Sequence, residues 1–414
     1  MVKRIFYGWW IVLACFFISF YVGGVIFFGF TAFFEPIRAE SGWSYAQISF
    51  AASLRGLEMG LLAPVVGFLV YRFGARALIL CGTLTVGAGL IFLSLTQSLA
   101  MFYGAFLLIS FGAGGCTSVV TMAVVANWFR KKIGMAFGIM ASGFGAGGIV
   151  VPFIVWSIEA YGWRTTLVIL GLTMWAMGVP LFFVIRNSPE QYGYAPDGEI
   201  CEVPSETHEI RDYGEEIGFK DALRSRAFLF LNIVEAVRLM TIAAVATHVM
   251  PYLSSLGIPR SVCGFVAAAI PLCSIIGRFG FGWLGDTFDK RHVLAMTFLF
   301  MGIGVFVFCY VNTLWIVVPF LLLFPPGFGG SMVLRGAIIR EYFGRDAFGK
   351  LLGITMGSAS IGGIIGPTLA GWMFDTVGSY KPVWLIFCGV SIAATVLTMW
   401  IRKTAADGCL PSAS

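Results

Sequence analysis

The sequence predicts an all-α integral membrane protein, with twelve transmembrane helices arranged as two pseudo-symmetric six-helix bundles. Three observations carry that expectation. Hydrophobic residues make up 58% of the chain and charged residues only 12%, against about 25% charged in a soluble domain. Lipid must therefore solvate much of the apolar surface. Window hydropathy and turn signals divide the 414 residues into about a dozen runs of bilayer length. The chain also repeats itself 215 residues on: Gly134, Gly138, Ile139, Gly147, Gly148, Ile149 and Pro152 return as Gly349, Gly353, Ile354, Gly362, Gly363, Ile364 and Pro367, and Gly67 returns as Gly282. A helix so rich in glycine would be poor in water. In lipid, small residues let helices approach closely, and proline is tolerated where neighbours satisfy the freed carbonyl.

Taken in order, the spans fall at about 8–33, 44–70, 77–97, 100–127, 133–157 and 164–185, then 227–254, 262–285, 292–311, 314–341, 349–374 and 382–401. The first apolar run starts at Gly8 and lacks a small-residue cleavage site, so it reads as a retained span rather than a secretory signal. The second carries Arg55 and Glu58, the fourth Thr117, Ser118 and Thr121, and the fifth and eleventh the repeated glycines. Between the sixth and seventh lies the one long polar segment, 187–221, which holds ten of the 21 acids with Pro189, Pro196 and Pro204. It reads as a cytoplasmic linker with little fixed structure at its centre and an amphipathic stretch at Phe219–Leu223 on the membrane surface. The expected units are an N-terminal bundle 1–186, the linker 187–221, a C-terminal bundle 222–403 and a cytoplasmic tail 404–414.

The formal net charge of +6 is a topology signal. With the N-terminus inside, 19 of the 27 Lys and Arg fall on the cytoplasmic side, and only Arg38, Arg164, Arg260 and Lys381 outside. That bias follows the positive-inside rule and argues against nucleic acid as a partner. Nine scattered cysteines with no CxxC pair read as packing residues, not as a disulfide or metal framework. No P-loop, nucleophile–base set or metal cluster is visible, so neither an enzyme nor an ATP-driven pump is expected, and no cofactor. Two parallel six-helix repeats point instead to alternating access, with a site between the halves.

Particular motifs sharpen this. Gly67, Arg72, Gly74 and Arg76 resemble the loop between the second and third spans of the major facilitator superfamily, and Asp286, Lys290 and Arg291 resemble its second copy. The chain departs in having Tyr71 where that family usually has Asp, which weakens the first charge latch. Three further features resemble its monocarboxylate porter and oxalate–formate antiporter branches. They are Tyr7-Gly8-Trp9-Trp10 at the first span; Trp128-Phe129-Arg130-Lys131-Lys132 before Ala136 and Gly138; and His248 with Pro251-Tyr252, then Gly277-Arg278. The resemblance implies that Arg278 binds a substrate carboxylate and that His248 lies near the site. Ser274 stands where animal porters have an acid, the first span has no lysine, and Ala359–Pro367 has none either.

Ionisable groups within spans cost at least ~2.5–3.5 kcal/mol each on insertion scales and usually mark a pathway. Arg55 and Glu58 share a face of the second span, as Glu235 and Arg238 do on the seventh. Two readings stand: each is a buried structural pair, or one Glu loses its partner as the halves rock and carries a proton. At 1.5 Å per residue, Glu235 lies about 12 Å, Arg278 about 10 Å and Arg335 about 9 Å from the inner ends of their spans, one common layer. Once the intrahelical pairs cancel, Arg278 and Arg335 remain, and their planar forks suit a carboxylate. Arg335 has a second reading, snorkelling to Glu341 or headgroups. Thr117, Thr121 and an apolar wall of Tyr21 and Phe28 are the N-terminal half's candidates.

The expected function is proton-coupled transport of a small monocarboxylate of the lactate or pyruvate type. Residues 1–186 rock against 222–403, with Pro152 and Pro367 in the flexing spans, and the protein works as a monomer in a bacterial inner membrane with both termini inside. Partners are the anion, protons and the bilayer. The rivals are dicarboxylate or oxalate exchange, drug efflux, and a nutrient sensor that binds without transporting.

Overall fold

The computed structural model describes residues 6–43, 45–198 and 218–401; within them the side chains of 31, 35, 45–46, 49–60, 260–261 and 314 lie outside the description. All the regular structure described is helical. The N-terminal half runs through Gly8–Tyr21, Tyr45–Phe73, Ala75–Ser94, Leu99–Gly114 with Ser118–Trp128, Ile133–Ala146 with Val151–Tyr161, and Trp163–Val184. The C-terminal half runs through Arg226–Ser255, Arg260–Thr287, Lys290–Cys309, Leu314–Phe343, Phe348–Val377 and Lys381–Met399. Eleven stretches of the described chain are long and apolar enough to cross a membrane, and the second span adds the apolar stretch Leu61–Phe73. Every expected span has its helix. We call the face bearing most Lys and Arg, where the chain enters the first span and leaves the twelfth, the basic face.

Packing repeats as the sequence does. The first span lies on the fifth, the third on the fourth and sixth; the seventh lies on the eleventh, the ninth on the tenth and twelfth. The halves touch mainly along two equivalent seams, second against eleventh and fifth against eighth. Glycine makes these seams. A β-carbon on Gly67 would collide with the carbonyl oxygen of Gly349, and one on Gly134 with that of Gly282. All four residues belong to the repeat and lie near the basic face, so the halves are shut against each other there.

Backbone detail breaks the symmetry. The first span is α-helical only to Tyr21, then π-helical over Val22–Phe28 and 3-10 over Gly29–Phe33. The fifth is interrupted by a 3-10 turn at Gly147–Val150, with Pro152 at the start of its second helix. The two irregular stretches cross: a β-carbon on Gly24 would lie 2.6 Å from the Gly147 carbonyl oxygen. The eleventh span stays one helix through Pro367. The fourth span, expected to be continuous, breaks after Gly114, where Gly115, Cys116 and Thr117 make turn hydrogen bonds.

The beginning of the linker has fixed structure. Asn187 takes the Arg76 amide on its side-chain oxygen at 2.9 Å and the Asn127 amide group on its carbonyl at 2.8 Å. The Asp197 carboxylate accepts the amides of Arg130 and Lys131 at 2.9 and 2.8 Å. The linker's centre, 199–217, and the tail from 402 lie outside the described residues.

Candidate functional site

Glycine contacts also set the buried charges. Gly277 lies against the backbone of Pro326, and Gly329 against that of Ser274, so the eighth and tenth spans touch backbone to backbone. Arg278 and Arg335 are thereby carried inward beside the seventh span. There Arg238 Nε donates to Glu235 Oε2 at 2.8 Å, and Arg335 Nη1 donates to the same oxygen at 3.0 Å. The side chains of Glu235 and Arg335 are both wholly buried. Across the seam, Arg278 Nη1 donates to the carbonyl of Ala141 on the fifth span, and Arg278 is 2% exposed. The 3.0 Å contact puts Glu235 and Arg335 in one layer, as helical rise predicts, whereas Arg278 packs against Gly329, six residues before Arg335 on the tenth span.

One expectation needs correction. Arg335 is not left over once the pairs cancel, because convergence of the tenth span on the seventh lets Glu235 serve two arginines. Nor does Arg335 reach Glu341; Glu341 instead pairs with Lys290 at 2.5 Å. Arg278 alone has no carboxylate among the described residues. Among the described residues these buried groups amount to three guanidiniums and one carboxylate, and four of their atoms have no hydrogen-bond partner: Glu235 Oε1, Arg278 Nε, and Arg335 Nε and Nη2. Unpaired buried polar atoms are costly, and charged ones more so.

Other expected site residues are differently placed. His248 is pinned between elements, with Nδ1 at 3.1 Å from the Tyr380 hydroxyl and Nε2 at 3.0 Å from the Pro367 carbonyl. It ties the seventh span to the eleventh. Ser274 is buried and donates to the carbonyl of Pro271 at 2.6 Å. Tyr21 turns to the sixth span, donating to the Leu170 carbonyl with its hydroxyl 2.9 Å from that of Thr173, so it walls no cavity between the halves. Phe28 packs edge-on to Phe144 of the fifth span, ring centroids 5.5 Å apart. The hydroxyls of Thr117 and Thr121 bond back to the carbonyls of Gly114 and Thr117 at 2.8 and 3.0 Å, a local use that serves the break in the fourth span. The side chains of Arg55 and Glu58 lie outside the described residues.

The basic face carries the motif residues. The Asp286 carboxylate accepts the amides of Gly134 and Met135 at 2.7 and 2.8 Å, capping the fifth span across the seam. Arg291 pairs with Asp289 at 2.7 Å instead of crossing halves. Arg76 stacks on Phe182, and Arg72 lies 5.5 Å from the Phe73 ring. Tyr7 packs on Trp128 at 5.5 Å and Trp9 on Phe129 at 4.8 Å, so two motifs remote in sequence form one contact. Sequence reasoning missed Arg345, which donates to Asn127 at 2.8 Å and to Glu190 at 2.6 Å, joining the C-terminal half to the N-terminal half and the linker. The turn-forming Pro196-Asp197-Gly198 was the one legible signal that this segment is ordered.

Known proteins bear on this arrangement. The Major Facilitator Superfamily profile matches residues 9–277 and 231–409. Monocarboxylate transporter 12 of Mus musculus is 26% identical over 419 residues, spanning 96% of this chain and 85% of that protein. MFS transporter asaE of Aspergillus flavus is 24% identical, spanning 84% of this chain and 76% of its own. The human organic anion transporter MFSD10 (TETRAN) superposes with TM-score 0.74 at 12% identity, over 94% of this chain and 99% of that one. The E. coli fucose:proton symporter FucP superposes with TM-score 0.73 at 15% identity, over 97% and 100%. With the profile spanning both halves and the twelve-helix architecture matching, the chain belongs to the Major Facilitator Superfamily and is a membrane transporter, not an enzyme.

Proposed function

We propose that this transporter carries a small organic anion, a monocarboxylate of the lactate or pyruvate class, together with a proton. The observation that carries the reading is the buried charge imbalance among the described residues, three guanidiniums against one carboxylate. A cation or a neutral sugar would have little use for it; a carboxylate would pair with it. Arg278 is the residue assigned to the anion. It sits on the seam between halves, has no carboxylate partner among the described residues, and keeps Nε unbonded. A guanidinium stays charged and presents a planar fork that matches a carboxylate. The likeness to monocarboxylate transporter 12 supports the same class.

The proton is assigned to Glu58 or Glu235. In Glu235 one oxygen holds two arginines, and Oε1 is left for a proton when a partner withdraws. The basic face is taken as cytoplasmic by the positive-inside rule. Its closed seams then describe a form shut toward the cytoplasm. Residues 1–186 and 222–403 are the two bodies that rock, each working within one monomer. The two sequence relatives named above come from a mouse and a fungus, and the fucose symporter from a bacterium, so the membrane of residence stays a proposal.

The test is uptake of labelled lactate into proteoliposomes, with and without an inward proton gradient. Stimulation that a protonophore removes supports symport. Arg278→Ala is expected to abolish uptake while still inserting, and Arg278→Lys to be poor because a point charge lacks the fork. Wild-type uptake by Arg278→Ala would sink the assignment. The free Nε and Nη2 of Arg335 favour a second reading, exchange of dianions held by two clamps. Arg335→Ala then loses dicarboxylate transport and keeps monocarboxylate transport.

A further inference from the structure

The 215-residue repeat makes Tyr71 the counterpart of Asp286, and Lys350 the counterpart of Met135. The backbones of the two seams match, with Gly67 against Gly349 where the other has Gly282 against Gly134. Their chemistry differs. On the fifth–eighth seam the Asp286 carboxylate caps two amides of the opposite half. On the second–eleventh seam the ammonium of Lys350 lies 3.2 Å from the centre of the Tyr71 ring, 5.3 Å from that of Phe68 and 5.5 Å from that of Phe219. Phe68 and Phe219 meet edge to face at 6.0 Å. Tyr71 and Phe68 belong to the N-terminal half, Lys350 to the C-terminal half, and Phe219 to the short helix Phe219–Arg224 that ends the linker.

We propose that Tyr71, Phe68 and Phe219 form a cation–π clasp on Lys350 that takes the place of a carboxylate latch and holds the basic face shut. An ammonium over an aromatic face is attracted by the ring's quadrupole, with or without a titratable partner. Three rings from two separate segments around one ammonium go beyond a chance surface contact. The clasp also docks the linker's last helix on the closed form, since Phe219 keeps its place only while the second and eleventh spans are together. This inference needs a basic face that opens and closes, and is independent of what is transported.

The test uses full-length protein in lipid nanodiscs, with native cysteines replaced and spin labels at Lys132→Cys and Asp346→Cys, one exposed site on each half of the basic face. Pulsed dipolar spectroscopy reads the ratio of open to closed distances. Tyr71→Ala and Lys350→Met are each expected to raise that ratio about three- to ten-fold. Tyr71→Phe, which keeps the ring, is expected to leave it unchanged, as is Tyr71→Asp, which installs the carboxylate of the other seam. The double variant Tyr71→Ala with Lys350→Met should shift no further than either alone, the mark of a shared contact. No shift in Tyr71→Ala, a Tyr71→Phe as open as Tyr71→Ala, or additive shifts would each overturn the clasp.

Discussion

Glu235 shows how one residue's meaning changes with its third neighbour. Read along the helix, it is half of an intrahelical pair with Arg238, three residues on; in the structure it also anchors Arg335, a hundred residues away. Removing one partner from a buried ionic cluster typically costs about 3–5 kcal/mol, because the remaining charge is stranded. Glu235→Gln would leave two buried guanidiniums facing a neutral amide. It is expected to lower the thermal unfolding midpoint and to lose uptake. A Glu235→Gln protein that is stable and still stimulated by a proton gradient would transfer the proton role to Glu58. His248 is a contrasting case: both ring nitrogens are engaged within the C-terminal half, which makes it a pin between spans.

At the level of elements, the seams depend on residues with no side chain. Gly67 and Gly134 each lie where a β-carbon would strike the opposite half's backbone, which a rigid carbonyl cannot yield to. Gly67→Val is therefore expected to keep the basic face from closing and to abolish uptake with insertion intact, with Gly67→Ala milder. Gly104, with nothing within 4 Å of its would-be β-carbon, is the control, and Gly104→Ala is expected to transport normally. Equal uptake by Gly67→Val and Gly104→Ala in the same vesicles would remove the seam from the mechanism. The crossing of the π-helical first span with the 3-10 turn of the fifth is a second close approach. Its counterpart is the approach of the eleventh span to the seventh, where a β-carbon on Gly362 would strike the Ala236 carbonyl oxygen, but there both helices run unbroken.

Across the whole molecule, the closed basic face is held at three places: the Asp286 cap, the Lys350 cage, and the linker segment where Arg345 meets Glu190. Partial burial raises the Glu190 carboxyl, but the hydrogen bond from Arg345, a backbone hydrogen bond, the Arg345 charge and a hydrogen bond from Ser188 together more than offset this and hold it below its ordinary value, about 4.3 for a free side chain. A depressed carboxyl stabilises the closed form above its ordinary value and loses that contribution as pH falls through the lowered one. The Glu190 contact is thus expected to be intact at neutral pH and to fail only in acid, below the ordinary carboxylate range. Distances across the basic face measured from pH 7 to pH 3 test this. Glu190→Gln should be more open at pH 7 and should lack the acid transition that the parent shows. The contact is half exposed, so salt is expected to weaken it as well.

Twelve spans, two halves, the close-packed glycine spans and the common depth of Glu235 and Arg335 were all legible in the sequence. Hydropathy, glycine spacing and helical rise are local and periodic, and lipid forces each span to satisfy its own backbone. Pairing was not legible. That Arg335 reaches Glu235 and leaves Glu341 to Lys290, that Arg278 bonds the Ala141 carbonyl, that Tyr21 faces the sixth span, and that Lys350 sits on Tyr71 all depend on which helix lies beside which and at what rotation. Those partners are 100 or more residues apart in most cases, and a side chain with several donors has no preferred partner until packing supplies one. The breaks at Gly114 and Gly147 were hidden for a related reason, since the equivalent Gly329 in the tenth span and Gly362 in the eleventh fit continuous helices. Composition and period determined the architecture, and tertiary contact decided which charges are paired, because a buried charge takes the partner that the neighbouring helix places within reach.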